Sequence, residues 1–158
     1  MDWDVIDFTV FGAMLVSVGV IYTLARRSTA NMAYRFAVAV ALAAAFILIW
    51  VNGAVGIIGD ESNDANMMYF GVLGIGIIGA VIARFQPQGM ALALYATALT
   101  QTAVAVIALI AGLGSTAPVW PKDILLLTAF FVALWLLSAR IFRSAAREQH
   151  SASAKPQG

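Results

Sequence analysis

The sequence predicts an all-α fold: a polytopic transmembrane helical bundle of about five spans, with the N-terminus outside and the C-terminus in the cytoplasm. Three observations carry that expectation. Apolar residues make up 62% of the chain and charged residues only 11%, against roughly half and a quarter in soluble domains. The apolar residues fall in runs close to the ~20 residues that an α-helix needs to cross the hydrocarbon core. Lysine and arginine then collect on one side of the membrane when those runs are threaded alternately across it.

The first span is expected near 5–25. It follows an acidic start, Met1-Asp2-Trp3-Asp4, where a cleaved secretory signal would be basic, so it is read as a retained helix. Arg26-Arg27-Ser28-Thr29-Ala30-Asn31 separates it from a second span near 34–58, which Gly59 closes as a left-handed C-cap. A third span near 64–84 starts from Asn63 or Asp64 as N-cap. Phe85-Gln86-Pro87-Gln88-Gly89 leads to a fourth near 90–113, and a loop carrying Pro118 and Pro121 leads to a fifth near 123–142. Connections this short make consecutive helices antiparallel neighbours. Residues 1–142 are thus a transmembrane helical domain. The polar remainder, 143–158, lacks the apolar content to order itself and is expected to be a flexible cytoplasmic tail.

Cationic loops stay on the cytoplasmic side, whereas acidic residues count for little. With the N-terminus outside, Arg26, Arg27, Arg35, Arg84, Arg140, Arg143, Arg147 and Lys155 are all cytoplasmic and Lys122 alone is external. Trp3 and Trp120 then fall at the outer boundary and Tyr22 and Tyr34 at the inner one, as interfacial belts do. A net charge of +1 with no basic face gives no reason to expect nucleic acid. The partner implied is the lipid bilayer, with a membrane-protein partner or a second copy of the chain as further candidates.

Chemistry is sought first in the acidic cluster between the second and third spans. Asp60, Ser62, Asp64 and Asn66 alternate like the opening ligands of a calcium loop, but Ala65 stands where the turn glycine belongs and Gly71 where a bidentate Glu should close the loop. A capped external turn explains the same residues, and no metal site is expected. In the third helix Gly76, Gly79, Ala80 and Ala83 share one face while Gly71 and Gly74 lie on another. Small residues spaced in this way let helix backbones approach in lipid, so Gly76 and Gly79 are expected to pack a central helix between two neighbours.

Asn52 and Gln101 are the carboxamides well inside the expected spans. Tyr69 lies at a depth that suits Asn52. The three form a candidate polar intramembrane site, or else hydrogen-bonded contacts between helices, which in lipid are worth about 0.6 to 2 kcal/mol. A direct bond between Asn52 and Gln101 would need tilt or kinking. No Asp, Glu, Lys, Arg or His occupies the middle of any span, which speaks against a proton relay or voltage sensor. His150 is the single histidine and lies in the tail, and there is no cysteine. No nucleophile, base and orienting residue can therefore be assembled in the membrane. No catalytic residue, cofactor-binding residue or cofactor is expected.

Four segments carry a likeness: Ala41-Leu42-Ala43-Ala44-Ala45-Phe46, Trp50-Val51-Asn52-Gly53-Ala54-Val55-Gly56-Ile57-Ile58-Gly59, Ala65-Asn66-Met67-Met68-Tyr69-Phe70-Gly71-Val72-Leu73 and Ile82-Ala83-Arg84-Phe85. Through them the chain resembles, from about Tyr34 to Phe142, an uncharacterised family of small multi-spanning bacterial inner-membrane proteins. The resemblance implies a multi-pass place in that membrane and no activity. The expectation is a non-enzymatic structural or interaction component; the alternative is a small-solute channel or transporter subunit working through Asn52, Tyr69 and Gln101.

Overall fold

The computed structural model describes residues 4–28, 31–54, 67–113 and 121–154, all of them in helices or their turns. The elements are α1 (Val5–Ser28), α2 (Met32–Ala54), α3 (Met68–Ile82), α4 (Pro87–Ala111) and α5 (Lys122–Ala154). Four of them, α1, α2, α4 and α5, contain stretches long and apolar enough to cross a membrane, the mark of a membrane protein. The described part of α3 has 15 residues, or ~22 Å at 1.5 Å per residue, short of the ~30 Å hydrocarbon core.

Local chemistry sets the helix ends. At the start of α1, Asp4 and Asp7 cap one another: Asp7 N donates to Asp4 Oδ1 at 2.9 Å and Asp4 N to Asp7 Oδ2 at 3.0 Å. This is a capping box with Asp at both positions, and it quiets amides that the helix leaves free. Asn31 caps α2, its Oδ1 accepting from Tyr34 N at 3.2 Å. Helix α3 ends in a Schellman pattern, Phe85 N to Ala80 O at 3.1 Å and Arg84 N to Val81 O at 3.0 Å, with Arg84 and Phe85 both left-handed at φ 54° and 58°. Gln86 is extended ahead of Pro87, as a residue before proline must be, and Pro87 opens α4 where no amide is needed. Thus α4 begins three residues before the expected Met90. It closes at Gly112, left-handed at φ 66°, while Leu113 N reaches Ala108 O at 2.9 Å.

Helix α5 runs on past the expected span end at Phe142 to Ala154, so that 143–154, expected as part of a flexible tail, are helical. Ser144-Ala145-Ala146-Arg147-Glu148-Gln149 contains good helix formers and no Gly or Pro, and Ala145 is fully buried. Low apolar content did not prevent order because a helix already nucleated needs few contacts to propagate.

In space the helices do not follow chain order. Helix α5 packs on α4 and on α2, α3 packs on α4, α1 packs on α2, and α2 touches α3 only marginally. The centre of the bundle is therefore α4 and α5. The expectation of a central third helix is corrected: α3 stands at one edge, with Ile75, Ile77, Ile78, Val81 and Ile82 exposed, and a Cβ added at Gly71 or Gly74 would meet nothing. Only its other small face is packed. Helix α1 stands at the opposite edge, none of its apolar window buried.

The core is built from small residues set against large ones. Helix α4 presents Ala91, Ala98, Ala105 and Ala108 and α2 presents Ala37 and Ala44, while α5 presents Phe131, Trp135 and Phe142, all of them buried. Alanine stripes let the backbones close around the aromatic rings, and dispersion in that close packing is what lipid cannot match.

Candidate functional site

Inside the bundle, polar side chains occupy the faces where α4 meets α3 and α5 and where α5 meets α2. Thr97 and Gln101 are one turn apart on α4, and both are buried together with Ser138 on α5. Trp135 Nε1 donates to Gln101 Oε1 at 2.6 Å. An indole nitrogen can only donate, so the amide must turn its oxygen toward α5. Gln101 Nε2 is left buried without a hydrogen-bond partner among the described residues, as is Thr128 Oγ1. Thr97 Oγ1 donates back to Ala93 O at 2.8 Å. Ser138 Oγ donates at 2.7 Å to the carbonyl of Ala37, joining α5 to α2.

The backbones of α3 and α4 approach closely along their seam. A Cβ on Gly79 would lie 2.8 Å from Ala93 Cβ, and one on Gly76 would lie 2.9 Å from Thr97 Oγ1. At the turn, a Cβ on Gly89 would overlap Ala83. Carried along the antiparallel pair, that register sets Val72 opposite Gln101 and the fully buried Tyr69 one turn further, opposite Val104. Tyr69 and Gln101 thus lie on one seam.

Asn52 lies on a different level. Ser138 beside Ala37, Tyr34 beside Phe142 and Asn31 beside Ala145 fix the α2–α5 register and put Trp135, with Gln101, level with Ala41. The backbone of Asn52 stands eleven residues beyond, roughly 16 Å at 1.5 Å per residue. Its side chain lies outside the described residues, as does the Gly59 to Asn66 segment with its calcium-like spacing. Among the described residues no group of three or more His, Cys, Asp or Glu is placed to hold a metal.

A second polar layer, which the sequence reading did not pick out, closes the arginine-bearing end of the bundle. Three residues of one turn at the start of α2 each reach a backbone carbonyl of a different segment. Asn31 Nδ2 donates to Ala145 O of α5 at 3.1 Å, Tyr34 Oη to Phe85 O of the α3–α4 turn at 2.7 Å, and Arg35 Nη2 to Arg26 O of α1 at 2.9 Å. The Tyr34 ring also meets Phe142 edge to face at 5.2 Å. One turn of α2 therefore ties down every other helix at that end. The signal that could have found it is the Asn-x-x-Tyr-Arg run at a helix start, since side chains there lie next to helix ends and turns, such as those at Arg26 and Phe85, whose carbonyls fall outside the helical ladder.

Chemically, these arrangements bind helix to helix. Trp135, Ser138, Asn31, Tyr34 and Arg35 each spend a donor on a carbonyl or amide oxygen of a neighbouring segment, and no acid, base and nucleophile converge among the described residues. No family model, curated protein or solved structure matches the chain.

Proposed function

We propose that the chain is a non-enzymatic structural or interaction component of the bacterial inner membrane, crossing it five times with its N-terminus outside and its C-terminus in the cytoplasm. The observation that carries this reading is the state of Gln101: the deepest amide of the bundle has no exposed surface and its oxygen is held by Trp135. A polar group sealed between helices serves cohesion, whereas a permeation path needs polar groups facing water. The fifth crossing in this reading is α3, of which 15 residues are described. The likeness to small multi-spanning bacterial inner-membrane proteins belongs to the same proposal. A second membrane protein or a second copy of the chain is the partner class it implies.

One observation favours the other reading, a small-solute channel or transporter subunit: Gln101 Nε2 and Thr128 Oγ1 are buried without partners among the described residues, as groups awaiting a solute would be. Proteoliposomes decide between the two. Vesicles carrying the full chain are expected to pass glycerol, urea and small ions at the rate of empty vesicles, and affinity purification from mildly solubilised membranes to bring down a stoichiometric partner. Solute flux that falls in Gln101→Leu would overturn the structural reading and establish the channel.

A further inference from the structure

We propose that the exposed arginine stripe of α5, Arg140, Arg143 and Arg147, is a docking face for the phosphate groups of anionic phospholipids. The proposal rests on the membrane-spanning reading and names the lipid class it selects. The three residues follow i, i+3, i+7 spacing, so they share one side of the helix. They are exposed, on the side opposite the stripe of Phe131, Ser138, Phe142 and Ala145 that is buried in the bundle.

That outward side is continuous with the face offered to lipid tails. Leu125 and Arg143 stand at one azimuth about five turns apart, and so do Ala129 and Arg147. Leu125 and Ala129 are exposed. One helix face thus passes from apolar to cationic along its length, the pattern a helix takes where it leaves hydrocarbon for headgroups. The level agrees. The α2–α5 register sets Arg140 level with Arg35, which itself reaches the Arg26 carbonyl, so arginines of α1, α2 and α5 occupy one layer at that end of the bundle.

The stripe is also held in place. Helix α5 stays regular to Ala154, and Asn31 Nδ2 on the Ala145 carbonyl pins the helix between Arg143 and Arg147. The guanidiniums are therefore presented on a fixed rod, which loses less freedom on binding than a loose tail would. Guanidinium forks match phosphate oxygens, and their aliphatic stems lie along apolar surface while the heads reach outward. Membrane-surface attraction to anionic lipid amounts to about fivefold per arginine.

The test uses the full chain purified in mild detergent, with phosphatidylglycerol or phosphatidylcholine added at equal mole fraction and retained lipid counted by native mass spectrometry. The protein is expected to retain several-fold more phosphatidylglycerol, and 0.5 M salt to reduce that preference. The triple variant Arg140→Gln, Arg143→Gln, Arg147→Gln should lose most of it, and Lys122→Gln at the other end should keep it. Equal retention of the two lipids by the unsubstituted chain overturns the proposal, as does full preference in the triple variant. Extraction of the chain from membranes by alkaline carbonate is read in parallel, because solubilisation there would refute the membrane-spanning reading itself, whatever the lipid counts.

Discussion

Trp135 Nε1 and Gln101 Oε1 meet at 2.6 Å between α4 and α5, with both side chains buried. This bond forces the orientation of the amide and sits between the two central helices. Trp135→Phe leaves the buried amide oxygen without its donor, a loss of about 1–3 kcal/mol, and Gln101→Leu strands the indole N–H in the same way. The double variant is expected to lose less than the sum of the two. Unfolding of the four proteins by sodium dodecyl sulfate measures the coupling, expected at about 0.6–2 kcal/mol. Strict additivity would mean that the pair is incidental.

Helix α3 should respond to substitution on one face only. At Gly79 the added Cβ of alanine would lie 2.8 Å from Ala93 Cβ, so Gly79→Ala must push α3 away from α4 and cost about 1–3 kcal/mol. At Gly74 the same methyl meets nothing, and alanine there should be neutral or stabilise by up to about 1 kcal/mol through helix propensity. Thermal melting in detergent separates the two. Equal tolerance would place the Gly79 face toward lipid.

Tyr34→Phe should be more costly than Ser138→Ala. The Phe85 carbonyl lies in a turn outside the helical ladder and receives the Tyr34 hydroxyl at 2.7 Å, so its loss is expected to cost about 0.5–1.5 kcal/mol. Ser138 reaches the Ala37 carbonyl at 2.7 Å, but that carbonyl also faces the amide of Ala41 within α2. Proteolysis at the α3–α4 turn provides a local readout and should quicken in Tyr34→Phe alone.

The number of crossings has a direct test. The chain contains no cysteine, so Asp4→Cys and Ser151→Cys can be labelled singly in intact cells with an impermeant thiol reagent. Five crossings predict labelling at position 4 and protection at 151 until the membrane is opened. Labelling of both, or protection of both, would mean that α3 does not cross.

By itself the sequence determined what is local. Hydropathy and helix-end chemistry gave five helices, and the positions of Arg26, Arg35, Arg84, Arg140 and Arg143 placed most cations at one end. Gly76 and Gly79 were legible as a close-packing face because a missing side chain has few other uses on an apolar helix. The tertiary structure alone decided the spatial order α1, α2, α5, α4, α3, the meeting of Gln101 with Trp135, and the reach of Asn31, Tyr34 and Arg35 to three different segments. The physical reason lies in the solvent. In water an apolar stripe must face a core, so a sequence shows its buried side; in lipid, hydrocarbon satisfies Ile77 or Val20 as well as a neighbouring helix does. Apolarity therefore does not distinguish α1, exposed along its length, from α4, which is central. What selects a partner is shape and hydrogen bonding between stripes far apart in the chain, and those exist only once the helices are side by side.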